Sequence, residues 1–164
     1  MNRRIVRRAS FPSVSSLDEI DLAAEASVLV TSETSLYPID NVFDAQRGPG
    51  GSCWMASDPG EQTVLVKFDK PRVVRTVSIE VEERANTSTQ HVEVSTSRDD
   101  GKTFEGLAPR NLTFTPYGAT FAEETWIVPV DPVTHVRLRI TPGPRGQSGR
   151  SNEGRASLTS LVLR

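Results

Sequence analysis

The sequence predicts an all-β protein, folded as a sandwich or barrel of about eight main strands. Short segments of alternating apolar and polar residues recur along the chain, separated by turn signals rich in Gly, Pro and Asp. No segment has the length and apolar spacing of a long helix. Hydrophobic residues make up 36% of the 164-residue chain and charged residues 24%, which is typical of one folded domain.

Residues 1–25 are predicted to be an N-terminal extension, and residues 26–164 a single β-sandwich domain. Arginines in the first eight residues precede an acidic stretch at residues 18–25, a charge pattern typical of a frayed arm. Ser16 is suited to cap one weak amphipathic turn that runs to Ala24. Strand signals dominate after that turn.

The clearest strand signals lie between Thr63 and Glu82. Apolar residues alternate with polar ones over residues 64–68 and again over residues 73–82, which is the period of a half-buried strand. The polar segment Asp69–Pro71 lies between them, and proline offers no N–H to a strand ladder. The pattern therefore predicts two antiparallel strands joined by a turn, in a sheet with one solvated face.

The other strands follow from the same alternation. Residues 134–141 place Arg137 and Arg139 on the face opposite their apolar neighbours. The pair Asp100-Gly101 predicts a tight turn, because both residues tolerate positive φ. Further strands are predicted at residues 27–31, 91–96, 103–107, 112–115, 125–130 and 156–163, and one helical turn at residues 37–44. The predicted core comprises Trp54, Val66, Phe68, Val77, Ile79, Val92, Val94, Trp126, Val136, Leu138 and Ile140.

Five segments match, in order, the pattern of a known family. They are residues 39–44 (IDNVFD), 53–57 (CWMAS), 65–71 (LVKFDKP), 92–96 with 100–104 (VEVST, DGKTF), and 135–140 with 156–158 (HVRLRI, ASL). Through them the domain resembles the discoidin-like domains, also known as the C-type domains of coagulation factors. The resemblance implies a galactose-binding-like jelly-roll fold and a recognition surface on loops at one end of the sandwich.

The resemblance also bears on metal binding. Many members of the family hold calcium near an early aspartate, which Asp44 matches, and close the site with a late carboxylate. Ser160 stands at that late position, whereas calcium usually needs more than one anionic oxygen. No metal or other cofactor is therefore expected, and Asp44 is the residual candidate for a calcium ligand.

Loop side chains are the candidate ligand contacts, because loops vary without disturbing the sheets. Aromatic rings stack on sugar faces, while Arg and Asn hydrogen-bond hydroxyl groups. Tyr37 and Phe121 can equally cap the ends of the core. The candidate set is Tyr37, Arg84, Asn86, Tyr117, Phe121 and Arg145.

Catalytic readings are weaker. His91 and His135 have no Cys or His at metal-ligand spacing, and Cys53 lies in no nucleophile signature. The pairs Glu82-Glu83 and Glu123-Glu124 form an acid/base pair only if folding brings them together. The glycine-rich segment 47–51 lacks the lysine and helix of a phosphate loop and is interpreted as a flexible turn. We predict no enzyme activity.

Two functions remain as the main hypotheses. The first is a non-catalytic module that binds a carbohydrate or similar polar ligand, and the alternative is an intracellular protein-binding adaptor. A net charge of −2 predicts no nucleic-acid partner, and the loops lack paired apolar tips for membrane insertion. The single cysteine and the absence of a signal-like apolar segment predict a cytoplasmic location. The oligomeric state is left open.

Overall fold

A computed structural model describes residues 4–6, 18–44, 46–143 and 154–164. Within these residues the chain forms twelve strands, eight of them four or more residues long, which matches the predicted number of main strands. The strands are β1 (Arg4–Val6), β2 (Ala26–Val30), β3 (Trp54–Met55), β4 (Gln62–Val73), β5 (Thr76–Glu82), β6 (Ser88–Ser97), β7 (Glu105–Gly106), β8 (Arg110–Phe114), β9 (Phe121–Ile127), β10 (Pro132–Pro142), β11 (Ser157–Leu158) and β12 (Ser160–Leu163).

The strands form two main layers. The large sheet has the order β1-β2-β4-β10-β6-β7, with β8 also paired to β6, and the small sheet has the order β12-β5-β9. A short β11-β3 pair completes the set, and every pair is antiparallel. This architecture confirms the predicted β-sandwich of the jelly-roll type. The backbone N–H of Ile20 donates to Leu163 O at 2.8 Å, so the segment before β2 lies against the last strand.

One apolar core lies between the two sheets. Inward residues such as Val64 and Leu138 from the large sheet meet Val77 and Ile79 from the small sheet in a single buried cluster. The indole N–H of Trp54 donates to Ser32 O at 3.0 Å, which satisfies the only polar group of that buried ring. All eleven predicted core residues are buried: Trp54, Val66, Phe68, Val77, Ile79, Val92, Val94, Trp126, Val136, Leu138 and Ile140.

The predicted pairing of the two clearest strands is wrong. Strand β4 continues through Pro71 to Val73, and β5 then begins in the other sheet, so the two strands do not pair. Residues 68–71 lie between Lys67 and Arg72, which face positions on either side of Thr134 in β10, so Pro71 falls in a bulge. A proline in a bulge removes no ladder hydrogen bond, and it therefore gave no reliable turn signal.

Within the described residues, helical structure is limited to two short segments. Helix α1 (Leu22–Glu25) begins after Asp21, whose carboxylate accepts from Ala24 N at 3.1 Å, whereas the predicted cap Ser16 lies outside the described residues. The predicted turn before Asp44 is a 3₁₀ helix (Ile39–Phe43). Ile20 and Leu22 pack into the core, and the domain boundary at residue 26 stays a prediction. No helix in the described part of the chain is both long and apolar enough to cross a membrane.

Candidate functional site

Several loops meet at one end of the sandwich. Strand β5 ends at Glu82, directly opposite Phe121 at the start of β9. Strand β6 begins at Ser88, opposite Phe114 at the end of β8. We call the surface formed by residues 34–37, 46–51, 83–87 and 115–121 the loop end.

Tyr37 joins the loop end through the short β11-β3 pair. Its carbonyl oxygen accepts from Met55 N at 3.1 Å, and Met55 pairs with Ser157. Ser157 in turn exchanges hydrogen bonds with the Gln90 side chain, near the start of β6. The neighbouring Leu36, which the sequence analysis did not select, is 79% exposed and adds an apolar side chain to this surface.

The turn that carries Arg84 and Asn86 is held by one carboxylate. Glu83 accepts from Ala85 N at 2.9 Å and from Asn86 N at 3.0 Å, which fixes the backbone between β5 and β6. The Asn86 side chain also lies 3.5 Å from Glu83 Oε1. Arg84 pairs with Glu82 through its Nε, and most of its side chain stays in solvent. These two polar side chains are therefore presented on an ordered turn.

The backbone of the glycine-rich segment is also held by hydrogen bonds. Gly48 N donates to Glu80 Oε2 at 3.0 Å, and Gly50 N donates to Glu82 Oε2 at 2.8 Å. Both glycines have positive φ, a conformation that other residues adopt at a cost. The segment predicted as a flexible turn is thus hydrogen-bonded through its backbone to outward carboxylates of β5. Alternation in β5 predicts that these glutamates face outward, but it does not identify their partners.

Tyr117 lies at the tip of a hydrogen-bonded turn. Gly118 N donates to Thr115 O at 3.1 Å, and Thr115 N donates to Ala119 O at 2.9 Å. The ring is fully in solvent, with a relative exposure of 104%. A rigid turn that holds an aromatic ring away from the core is suited to contact a ligand face.

The structure thus brings five of the six candidate contacts to the same end. Tyr37, Arg84, Asn86 and Tyr117 are at least partly exposed there, and Phe121 is half-buried at the rim. Arg145 lies outside the described residues. Their contact with a ligand stays a prediction.

Asp44 takes part in local hydrogen bonds. Its carboxylate accepts from Gln46 N at 3.0 Å and from the Ser52 hydroxyl, while Ser160 is buried in β12 opposite Glu80. Among the described residues, no group of three or more His, Cys, Asp or Glu side chains is placed to hold a metal ion.

Cys53, the two histidines and the glutamate pairs have the surroundings of structural residues. Partial burial, with a further contribution from Glu82, raises the pKa of the Cys53 thiol, which disfavours the nucleophilic thiolate. His91 Nδ1 lies 2.7 Å from Asn111 Oδ1, and His135 is buried. In the strand register Glu123 faces Glu80, whereas Glu82 faces Phe121. The two predicted glutamate pairs therefore do not face each other residue for residue.

Comparison with known proteins identifies the fold. No protein-family model matches the sequence, and no curated protein matches it. Solved carbohydrate-binding modules of family 32 do resemble the structure. One is CBM32-3 from a family 31 glycoside hydrolase of Clostridium perfringens, with 16% identity and a TM-score of 0.61; the match covers 93% of this chain and 98% of that chain.

Two further modules from Clostridium perfringens were solved with sugars. The family 32 module of NanJ, in complex with galactose, has 17% identity and a TM-score of 0.59 over 89% of this chain and 97% of that chain. The CBM32-1 and CBM32-2 domains of ZmpB, in complex with GalNAc, have 12% identity and a TM-score of 0.61 over 88% of this chain and 35% of that chain. These similarities confirm the jelly-roll fold that the motif resemblance implied.

Proposed function

We propose that this protein is a non-catalytic carbohydrate-recognition module whose loop end binds a sugar. The observation that carries the proposal is Tyr117, an exposed ring on a hydrogen-bonded turn at the same end as Arg84 and Asn86. A ring of this kind packs against the C–H face of a pyranose, and the polar side chains bind its hydroxyl groups. The shared fold supports the proposal, because similar modules were solved with galactose and GalNAc.

The polar groups at the loop end suit recognition better than catalysis. Glu82 and Glu83 are occupied by backbone N–H groups and by Arg84, so neither is left as a free acid or base. The thiol of Cys53 is held protonated by its surroundings. A module without catalytic groups discriminates by shape and hydrogen bonding, and its site needs only a preformed surface.

The test is binding of galactose and GalNAc, first on a glycan array and then by isothermal titration. Tyr117→Ala and Arg84→Ala are each expected to weaken sugar binding about tenfold, because each removes a stacking or a charged hydrogen-bonding group. Both side chains are exposed, so the unfolding free energy should change by less than about 0.5 kcal/mol.

Val130→Ala is the matched control, because Val130 is exposed on the β9–β10 turn at the opposite end. It should bind sugar like the unchanged protein. Undiminished binding in Tyr117→Ala and Arg84→Ala, with loss of binding in Val130→Ala, would show that the site lies at the opposite end and that the proposed surface is wrong. Stability loss with normal binding in the folded fraction would make both loop residues structural.

A protein-binding adaptor is the second candidate. It is favoured by exposed apolar side chains at the end opposite the loop end, where Val73, Ile127 and Val130 lie in solvent. Pull-down with the intact chain tests it: a partner lost in Ile127→Asp but retained in Tyr117→Ala would favour the adaptor. The cytoplasmic location stays a prediction under either function.

A further inference from the structure

The outer face of the large sheet contains a groove that is separate from the loop end. It has a volume of about 500 Å³ and lies across β2, β4 and β10, with Gly101 and Phe104 from the β6–β7 connection along one side. Ligand sites for small molecules typically have volumes of about 300–1,000 Å³. We call it the sheet-face groove.

Strand register arranges the lining of the sheet-face groove in rows. In one row, Arg137 of β10 faces Leu65 of β4, which faces Leu29 of β2. In the adjacent row, Arg139 faces Thr63, whose carbonyl oxygen accepts from Thr31 N. An apolar floor therefore ends at a guanidinium and runs beside Thr63. The Thr31 hydroxyl is already engaged, because it donates to Gln62 Oε1 at 2.6 Å and accepts from Thr63 N at 3.1 Å.

Two contacts fix the Arg137 guanidinium. It stacks on the Phe104 ring, with Cζ 3.9 Å from the ring centroid, and its Nε donates to Ser95 Oγ at 3.1 Å. Stacking on a ring leaves the in-plane N–H groups at the guanidinium edge available for a carboxylate. No carboxylate forms an ion pair with Arg137 within the described part of the chain.

Arg139, two residues away on the same face, is different. Its Nη2 lies 3.1 Å from Glu61 and its Nη1 lies 3.8 Å from Glu93. Arg139 thus has two carboxylate partners, whereas Glu93 and Glu61 act on Arg137 only at longer range, without an ion pair. Burial lowers the pKa of the Arg137 guanidinium and the positive charge of Arg139 lowers it further, while Glu93 and Glu61 oppose both effects. The guanidinium remains charged, because arginine stays protonated in proteins.

We propose that the sheet-face groove is a second ligand site and binds a carboxylated saccharide, such as a uronic or sialic acid. The carboxylate would pair with Arg137 and the sugar C–H face would pack on Leu65 and Leu29. The Thr63 hydroxyl, in the adjacent row, then meets a hydroxyl group of the sugar. Guanidinium and carboxylate match as a two-pronged pair, which is the strongest form of charged hydrogen bond.

Other charges at the rim favour a single carboxylate over a highly charged anion. Asp100 lines the groove near His135, and Glu61 lines it beside Arg139. The carboxylates would repel phosphate or sulfate clusters, while one unpaired guanidinium accommodates one acid group. The neutral sugars proposed for the loop end lack this group, so the two sites differ in ligand class.

The test is an NMR titration of the full ¹⁵N-labelled chain with glucuronate, galacturonate and N-acetylneuraminate, alongside glucose, galactose and acetate. The acidic sugars should shift amide signals of Leu29, Leu65 and Arg137 and leave Tyr117 unchanged, with little response to glucose or acetate. Arg137→Gln should weaken this binding about tenfold or more, because it removes a charged hydrogen-bond pair. Arg137→Lys keeps the positive charge but lacks the paired N–H groups of a guanidinium. Its affinity for acidic sugars should therefore lie between those of the unchanged protein and Arg137→Gln.

Arg110→Gln is the matched control. Arg110 also lies over an aromatic ring, that of Trp126, but it pairs with Glu124 outside the groove. It should bind acidic sugars normally. The proposal is overturned if none of the acidic sugars binds, if Arg137→Gln binds them as well as the unchanged protein, or if the shifts fall only at the loop end. Equal binding of acetate or a glutamate-containing peptide would also overturn it. Galactose binding is measured on the same variants, so failure here and failure of the loop-end site are distinguished.

Discussion

The loop end and the sheet-face groove position their side chains by different means. At the loop end, backbone turns are held by carboxylates: Glu80 and Glu82 bind the glycine-rich segment, and Glu83 binds the turn beside it. In the groove, strand register sets Arg137, Leu65 and Leu29 side by side, and only Phe104 on the Arg137 guanidinium comes from a connection. The first surface is built by its loops, whereas the floor of the second changes only when the sheet does.

The largest loss of stability is expected from a substitution in the core, because both regions are built on it. Leu138 is fully buried in β10, between two residues whose side chains face the groove. Leu138→Ala should lower the unfolding free energy by about 2–5 kcal/mol through the cavity it leaves. Chemical denaturation measures this.

Leu36→Ala is the matched control, because the same truncation at an exposed loop position should cost less than about 0.5 kcal/mol. A loss below about 0.5 kcal/mol in Leu138→Ala would show that the inward phase of β10 is wrong. The outward rows of the groove would then be wrong as well.

A second variant separates the two regions. A Cβ on Gly51 would lie 2.8 Å from Gln46 O and 3.2 Å from Gly48 O, and backbone atoms cannot rotate out of the way. Gly51→Ala should therefore cost about 1–3 kcal/mol and disturb the loop end. Sugar binding there should weaken, while the amide signals of Leu65 and Arg137 should stay in place.

Gly106→Ala is the control for that variant, since a Cβ there has no neighbour within 4 Å and the residue has no positive φ. It should leave the unfolding midpoint nearly unchanged. Equal stability of the two variants would show that the glycine-rich segment accepts the added methyl group without loss of folding free energy. The loop end would then not be held more tightly than an open loop, and the proposed difference between it and the groove would be wrong.

The smallest effect concerns acid sensitivity on the groove side. His135 is 5% exposed beneath Gly101, and burial lowers its pKa, opposed by Asp100 and assisted by Lys67. The folded state then binds a proton less readily than the unfolded state. Stability from the neutral ring is complete above about pH 6.5 and decreases as the pH falls below that value.

Denaturation midpoints measured from about pH 7.5 down to pH 5 check this dependence. His135→Gln should flatten the decline in that range, whereas His91→Gln, at an exposed position, should retain it. An unchanged decline in His135→Gln would assign the acid sensitivity to other groups. Hydrogen exchange should show the earliest loss of protection on the connection that contains Gly101.

The sequence predicted side-chain phase more reliably than strand partners. Alternation placed Val136, Leu138 and Ile140 inward and Arg137 and Arg139 outward, because the faces of a strand follow from a period of two. The same alternation occurs whether two strands pair in one sheet or lie in two, so the β4–β5 hairpin was predicted wrongly. Partners depend on long-range register, which local patterns do not contain.

The candidate sites show the same limit. Loop composition selected Tyr117 and Arg84, and the structure places both at one end of the sandwich. Loop composition did not select Leu36 or the glutamates of β5 that hold the glycine-rich segment. The stacking of Phe104 on Arg137 joins residues from different elements, and no spacing along the chain announces it. The only sequence signal for the groove was Arg137, an outward arginine with no acidic residue next to it in the sequence.

The burial of the tryptophans determines which spectroscopic signals can follow ligand binding. Trp54 and Trp126 are the chain's only two, and each indole donates inside the fold, to Ser32 O and to Ala108 O. Their emission therefore reports the integrity of the sandwich and should shift to the red when denaturant admits water. Sugar at either surface should leave that emission unchanged. Affinity is accordingly read by calorimetry, by NMR or from a fluorophore attached near Tyr117, while tryptophan fluorescence serves as an independent measure of folding in the same sample.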